Sequence, residues 1–322
     1  MKLTPLFFIA SIWSSSGVFA QPPLPGRLPN EFESSGGHGL GFGHGGMAAV
    51  SEQSSVRMNP AMLSFERQYR VSGGYHWPTF GRDFYQAGVV DSKTSAMAAG
   101  LTYTAGTSKY RDYKTYTTQE ERDAAFYDSP IRHRAAVGIS QSFDKFSIGL
   151  GGQYVEAPID PERTAKGITL GLGVAGLLTP LLRFGFSAEN LANSKVRDFS
   201  PTIYRGGLAY TLFGGDFTLH LDYHQRQRVL RELVAFGEIE PKDGVANTPE
   251  RMITGSASVR IQNLVRLMAA YGQSVDGISR RSLSGGVAVV NQNFSLSYLV
   301  SRPFFTQQKV HQAINAGIEI TL

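Results

Sequence analysis

The chain has 322 residues, of which 42% are hydrophobic and 18% charged, which excludes bulk disorder and leaves room for one large β domain or two smaller ones. Its 36 glycines and 14 tyrosines argue against a helical bundle, because glycine weakens helices and aromatic rings suit a pleated surface. The net charge of +5 is scattered rather than clustered, which points to anionic lipid headgroups and away from nucleic acid.

The first residues read as a secretory signal peptide over 1–20: Lys2, an apolar run from Leu3 to Trp13, then Val18-Phe19-Ala20 before Gln21. That run is shorter than the roughly 20 apolar residues of a spanning helix. No other segment approaches that length, so membrane residence must come from strands. No cysteine is present, so an exported chain has no disulfide staples and depends on a large core or on closure of a sheet.

Residues 21–66 form a segment of their own, rich in Pro and Gly as far as 46 and without period, which reads as flexible there. Gly41, Gly43 and Gly46 have the spacing of a dinucleotide fingerprint, but no strand and helix flank them, so that reading is set aside. His38 and His44 have no carboxylate or thiol at ligand spacing, and no metal is expected there. "SSVRMNPAML" then places a rigid corner at Asn59-Pro60, because proline fixes its own backbone and drives the preceding residue into an extended conformation.

Residues 67–322 alternate with a period of two, the mark of strands with one apolar and one polar face. "KFSIGLGGQY", "ITLGLGV", "LRFGFSAEN" and "FTLHLDYH" show it plainly. A soluble periplasmic sandwich gives the same alternation, but the segments run about 9–13 residues, close to the roughly 9–11 that cross a bilayer at a tilt. Short connections at 91–95, 143–145, 178–180, 213–216, 262–263 and 291–293 interleave with generally longer ones at 78–82, 105–131, 156–166, 190–201, 226–250, 275–280 and 302–309. These join fourteen strands of an all-β, antiparallel transmembrane barrel, provided that "RELVAFGEIE" within 226–250 is not itself a wall strand.

"HLDYH" puts His220, Asp222 and His224 on one polar face. Such a row can converge on a metal, serve as base and orienting group, or simply line a wet lumen; the last reading leads here to expecting neither metal, cofactor nor catalysis. The loop at 105–131, with Tyr110, Tyr113, Tyr116 and Tyr127, is long enough to be a lid or binding loop, and its rings equally suit an aromatic belt.

"GHGGMAAVSEQSSVRMNPAML" resembles the N-terminal signature of the FadL and PorV class of outer-membrane proteins, through Gly45, Ala48, Ala49, Ser54, Asn59, Pro60, Ala61 and Leu63. "FSAENLANS", "PTIYRGGLAY" and "VRLMAAYGQS" resemble the interior of the same class. Gly317, Ile320 and Leu322 resemble the barrel-assembly signal of a terminal strand, with Leu322 in place of the usual aromatic residue. The resemblance implies that residues 21–66 fold into the barrel as a plug, with a lumen corner at Glu52, Arg57, Asn59, Pro60 and Ala61. Arg57 and Glu52 would find partners among lumen-facing Arg183, Glu189, Arg205, Arg260 and Glu319. It implies a bacterial outer-membrane protein, delivered by the barrel-assembly machinery and seated in outer-membrane lipid, that passes or holds small hydrophobic molecules. The alternative is an accessory barrel that anchors or hands over surface or secreted proteins. Passage predicts an apolar lumenal pocket and a lateral gap beside the Asn-Pro corner; the accessory role predicts a lumen filled by polar pairs.

Overall fold

A computed structural model describes residues 46–48, 54–65, 67–78, 84–106, 133–158, 164–193, 196, 200–227, 249–262, 264–275, 281–291, 294–303 and 311–319. In it the alternating segments form fourteen strands. They are β1 (Tyr69–Pro78), β2 (Phe84–Asp91), β3 (Met97–Gly106), β4 (His133–Phe143), β5 (Phe146–Pro158), β6 (Thr164–Leu177), β7 (Leu182–Leu191) and β8 (Ile203–Leu212). The remainder are β9 (Phe217–Gln227), β10 (Pro249–Ile261), β11 (Val265–Ser274), β12 (Arg281–Val290), β13 (Phe294–Pro303) and β14 (His311–Glu319). Each pairs antiparallel with its sequence neighbours, and β1 pairs β14 from Arg70↔Glu319 to Pro78↔His311. The sheet therefore closes, and no edge strand is left to template aggregation.

The two faces have opposite chemistry. Outward positions carry Leu150, Ile168, Leu172, Phe186, Leu221, Leu283 and Ile314, each between 43% and 68% exposed. Apolar surface of this size, continuous around a closed wall, belongs in lipid rather than in water. The chain is thus a transmembrane β-barrel, and its strands of 8–14 residues suffice to cross. Inward positions are mostly Gly, Ala, Ser and Thr, with buried charges at Arg134, Glu189, Arg205, Asp222, Arg226 and Glu250.

At the turn end the connections carry their own chemistry. The Asp91 carboxylate accepts the backbone N–H groups of Lys93 and Thr94, both at 3.0 Å, and Asn291 Oδ1 accepts that of Phe294 at 2.8 Å. Phe143, Phe146, Phe213 and Phe294 are exposed at this end. At the loop end the exposed rings are tyrosines whose hydroxyls meet polar neighbours: Tyr103 with His133, Tyr154 with Glu156, Tyr223 with Gln225, Tyr271 with Gln273 and Tyr298 with Gln312. Two aromatic girdles of different polarity bracket the apolar band.

The fourteen expected strands are present, and residues 228–248, with "RELVAFGEIE", connect β9 to β10 and lie outside the described residues. So do 1–45, including His38 and His44, then Glu52, the connection 107–132 with its four tyrosines, Ile320 and Leu322. Of the expected terminal signal, Gly317 faces inward, where a Cβ would lie 2.8 Å from the Arg70 guanidinium, and Ile314, Ala316 and Ile318 face lipid.

Candidate functional site

Ser54–Phe65 lies against the inner wall. It is built from a one-turn helix α1 (Ser55–Met58) and a 3-10 helix (Pro60–Ser64) that meet at Asn59. Asn59 takes φ −153° and ψ 89°, outside the helical region that a following proline disfavours, and Pro60 opens the next helix where its missing N–H costs nothing. Ser54 through Leu63 are all buried.

The wall is hollowed where this segment sits. A methyl group at Gly149 would meet the Pro60 carbonyl carbon at 2.5 Å, and one at Gly138 would meet Val56 O at 3.0 Å. At Gly173 it would strike the Asn59 side chain, and at Gly100 that of Val56. Most of the large apolar side chains come from the segment and most of the small ones from the strands: Val56 and Leu63 pack with Val90, Ala98 and Ala136, and Met62 with Ala175. Burying each such side chain contributes about 1.5–3 kcal/mol. The inward glycines of "KFSIGLGGQY" and "ITLGLGV" are a bed for the chain's own N-terminal region.

Polar contacts fix the bed to its occupant. Asn59 Nδ2 donates to Met47 O (3.3 Å) and to Val174 O on β6 (3.4 Å), and Ser147 Oγ donates to Ala61 O at 2.6 Å. Further round the wall, the N–H groups of Gly46 and Met47 donate to the two oxygens of Asp222, at 2.7 and 2.9 Å. Gly46 has φ +89°, a left-handed conformation that turns two successive N–H groups toward one carboxylate, as in an anion-binding nest. Gly207, opposite Asp222 on β8, leaves room for that carboxylate, and Gly185 leaves room for Met47 O. Asp222 is thus a latch: buried, charge-assisted and spent on backbone 175 or more residues away.

The same contacts give the "HLDYH" row its neighbours. His220, Asp222 and His224 all face inward and are buried, and Asp222 is committed to the N-terminal backbone. Among the described residues no group of three His, Cys, Asp or Glu side chains stands close enough to hold a metal ion. Arg205 lies opposite His224 and forms a buried ion pair with Glu189, so these two expected lumenal charges are partners of each other. Arg183 takes an inward position within electrostatic reach of His220. Arg57 is buried in the segment at 3% exposure. Arg260, expected in the lumen, instead stands at the turn rim, 33% exposed and 3.3 Å from Asp216, because it lies at the last inward position before the β10–β11 turn. Glu319 pairs in register with Arg70 at the closing seam.

Sequence reading missed a second buried pair. Arg226 Nε and NH2 both donate to Glu250 Oε2, at 2.7 and 2.5 Å, joining the loop ends of β9 and β10. By sequence they bound the connection at 226–250, although Arg226 continues the inward run from His220, Asp222 and His224. It also missed the inward fold of the β7–β8 connection, where Val196 packs on Val155 and Ala165 and Ser200 accepts from Arg134 NH2 at 3.1 Å.

Together these residues occupy space against the inner wall in the turn-side half of the barrel. The gap between Gly46–Met47 and Ser54–Met62 has room for about one water molecule. Beside the corner, β4, β5 and β6 pair residue by residue through Gly138, Gly149, Gly151 and Gly173, so the expected lateral gap is not at that place. Among the described strand pairs the β6–β7 ladder does break register, between Leu170 and Leu172.

The chain matches no family model and no curated protein. Among solved structures it is similar to the CymD monoaromatic hydrocarbon channel, with a TM-score of 0.59 at 12% identity over 88% of this chain and 97% of that one. It is similar also to a Pseudomonas aeruginosa FadL homologue, with a TM-score of 0.51 at 10% identity over 87% and 96% of the two chains. A deltaS2 mutant of the TodX monoaromatic hydrocarbon channel gives 0.51 at 14% identity over 89% and 99%. At such identities what is shared is the fold: this chain is a closed fourteen-stranded antiparallel barrel, similar in fold to these channels.

Proposed function

We propose that this protein is a bacterial outer-membrane channel for small apolar molecules, closed on its turn side by its own N-terminal segment. The latch carries the reading: Asp222 on Gly46 and Met47, with Asn59 on Met47 and Val174, holds that segment across the inner faces of β3 to β9. Without such a segment a wide barrel encloses a water-filled channel, whereas apolar solutes partition into lipid and need no continuous water path. Away from the segment, Met268, Ala288, Leu299 and Ala313 give the lumenal wall of β11 to β14 an apolar stripe beside inward serines and glycines. The likeness in fold to proteins described as monoaromatic hydrocarbon channels supports that solute class.

The test is uptake of radiolabelled toluene by cells that carry the barrel and by cells that lack it, together with mass spectrometry of what the purified barrel retains. Faster uptake and a bound hydrocarbon support the channel. The buried pairs Glu189–Arg205 and Arg226–Glu250 favour a second reading, an accessory barrel with a filled lumen. That reading expects equal uptake and a stoichiometric protein partner in the purified material.

A further inference from the structure

The charges on the lipid-facing side are distributed unevenly. Among the described residues of β9 to β14, the charged side chains at outward positions are Arg251, Arg281 and Arg302, and all three stand at the loop end. On the opposite wall the charge at this level is balanced, with Lys166 Nζ 3.5 Å from Glu156. The nearest carboxylate in sequence to Arg251, Glu250, points inward and is held by Arg226.

Arg251 and Arg281 are exposed, and polar groups surround them in a regular way. Arg251 stands opposite Gln225 on β9, and Arg281 opposite Gln273 on β11. Each glutamine is in turn met by a tyrosine hydroxyl one pleat nearer the apolar band, Tyr223 at 3.0 Å and Tyr271 at 3.4 Å. Tyrosines at such a boundary mark headgroup depth, so both guanidinium groups sit just beyond the hydrocarbon. Two strand spacings and a two-residue offset put the two Cα atoms roughly 12 Å apart, within which two extended Arg side chains can meet one headgroup. Guanidinium matches phosphate through paired N–H donors, and an anion at this depth is attracted by local charge excess.

We propose that Arg251 and Arg281, with Gln225 and Gln273, form a binding site for the phosphate headgroup of an anionic lipid in the leaflet at the loop end. The arc fixes one side of the barrel, β9 to β12, against a particular lipid, independently of what passes through the lumen. The site needs the assembled wall, since its four side chains come from four strands.

The experiment is native mass spectrometry of the detergent-purified, full-length barrel titrated with a bisphosphorylated glycolipid. Each Arg that contacts phosphate contributes a charge-assisted bond, so R251Q/R281Q is expected to weaken retention by at least about tenfold. R251K/R281K should weaken it less, and the turn-side control K93Q/K145Q should leave it unchanged. Heat-shifted gel mobility confirms that each variant is a closed barrel, and R281Q alone serves if the double variant does not assemble. Retention unchanged in R251Q/R281Q overturns the site, as does an equal loss in K93Q/K145Q. Displacement of the lipid by equimolar inorganic phosphate also overturns it, since the arc would then be a site for free anions.

Discussion

At the scale of single residues, Asp222 ties the N-terminal segment to the wall, because one carboxylate holds backbone that the sequence places 175 positions away. Charge-assisted bonds of this kind are worth about 1.5–3 kcal/mol each. Asp222→Ala is therefore expected to lower amide exchange protection at Gly46 and Met47 by about a hundredfold or more, while strand amides of β11 to β13 keep theirs. Unchanged protection in hydrogen-exchange mass spectrometry would show that the segment is held by packing alone. The glycine bed gives a second prediction. Gly149→Ala drives a methyl group into the Pro60–Ala61 backbone and should cost about 1–3 kcal/mol in thermal unfolding, whereas Gly255→Ala, with nothing within 4 Å, should be close to neutral.

Among elements, the strands differ in what each face tolerates. Leu150 is 55% exposed to lipid at the middle of β5, so Leu150→Arg should destabilise the barrel by about 2–4 kcal/mol in a bilayer unfolding titration. The β9–β10 pair makes a different prediction. Arg226→Met alone leaves Glu250 buried and should cost about 3–5 kcal/mol, while Arg226→Met with Glu250→Leu should recover most of that loss. If the double variant is as unstable as the single one in thermal unfolding, the pair is not what joins these strand ends. At this scale the sequence was largely legible. The two-residue period marked each strand, Gly, Asp and Asn marked the turns, and the count of fourteen survived the ambiguous stretch at 228–248 because β9 and β10 pair directly from Pro249↔Gln227.

For the whole molecule, alternation and segment length by themselves determined a closed antiparallel barrel with lipid outside, because period two assigns every residue to a face and the apolar face must meet an apolar solvent. The Asn59-Pro60 corner was legible too, since proline constrains its neighbour locally, whatever the rest of the chain does. What the corner touches was not legible. Alternation places His220, Asp222, Glu189, Arg205 and Arg226 on the inner face but says nothing of partners, which depend on strand register and on how far the N-terminal segment reaches. Hence Asp222 looked like one member of a polar row, and Arg260 looked lumenal when it lies at the rim. The glycines of β5 and β6 read as ordinary polar-face positions, and only the folded barrel gives them neighbours: Asn59, Pro60 and Ala61 lie against them. Face and class follow from local periodicity, which sequence carries; the latch, the bed and the ion pairs join residues far apart along the chain, and only closure of the sheet brings them within bonding distance.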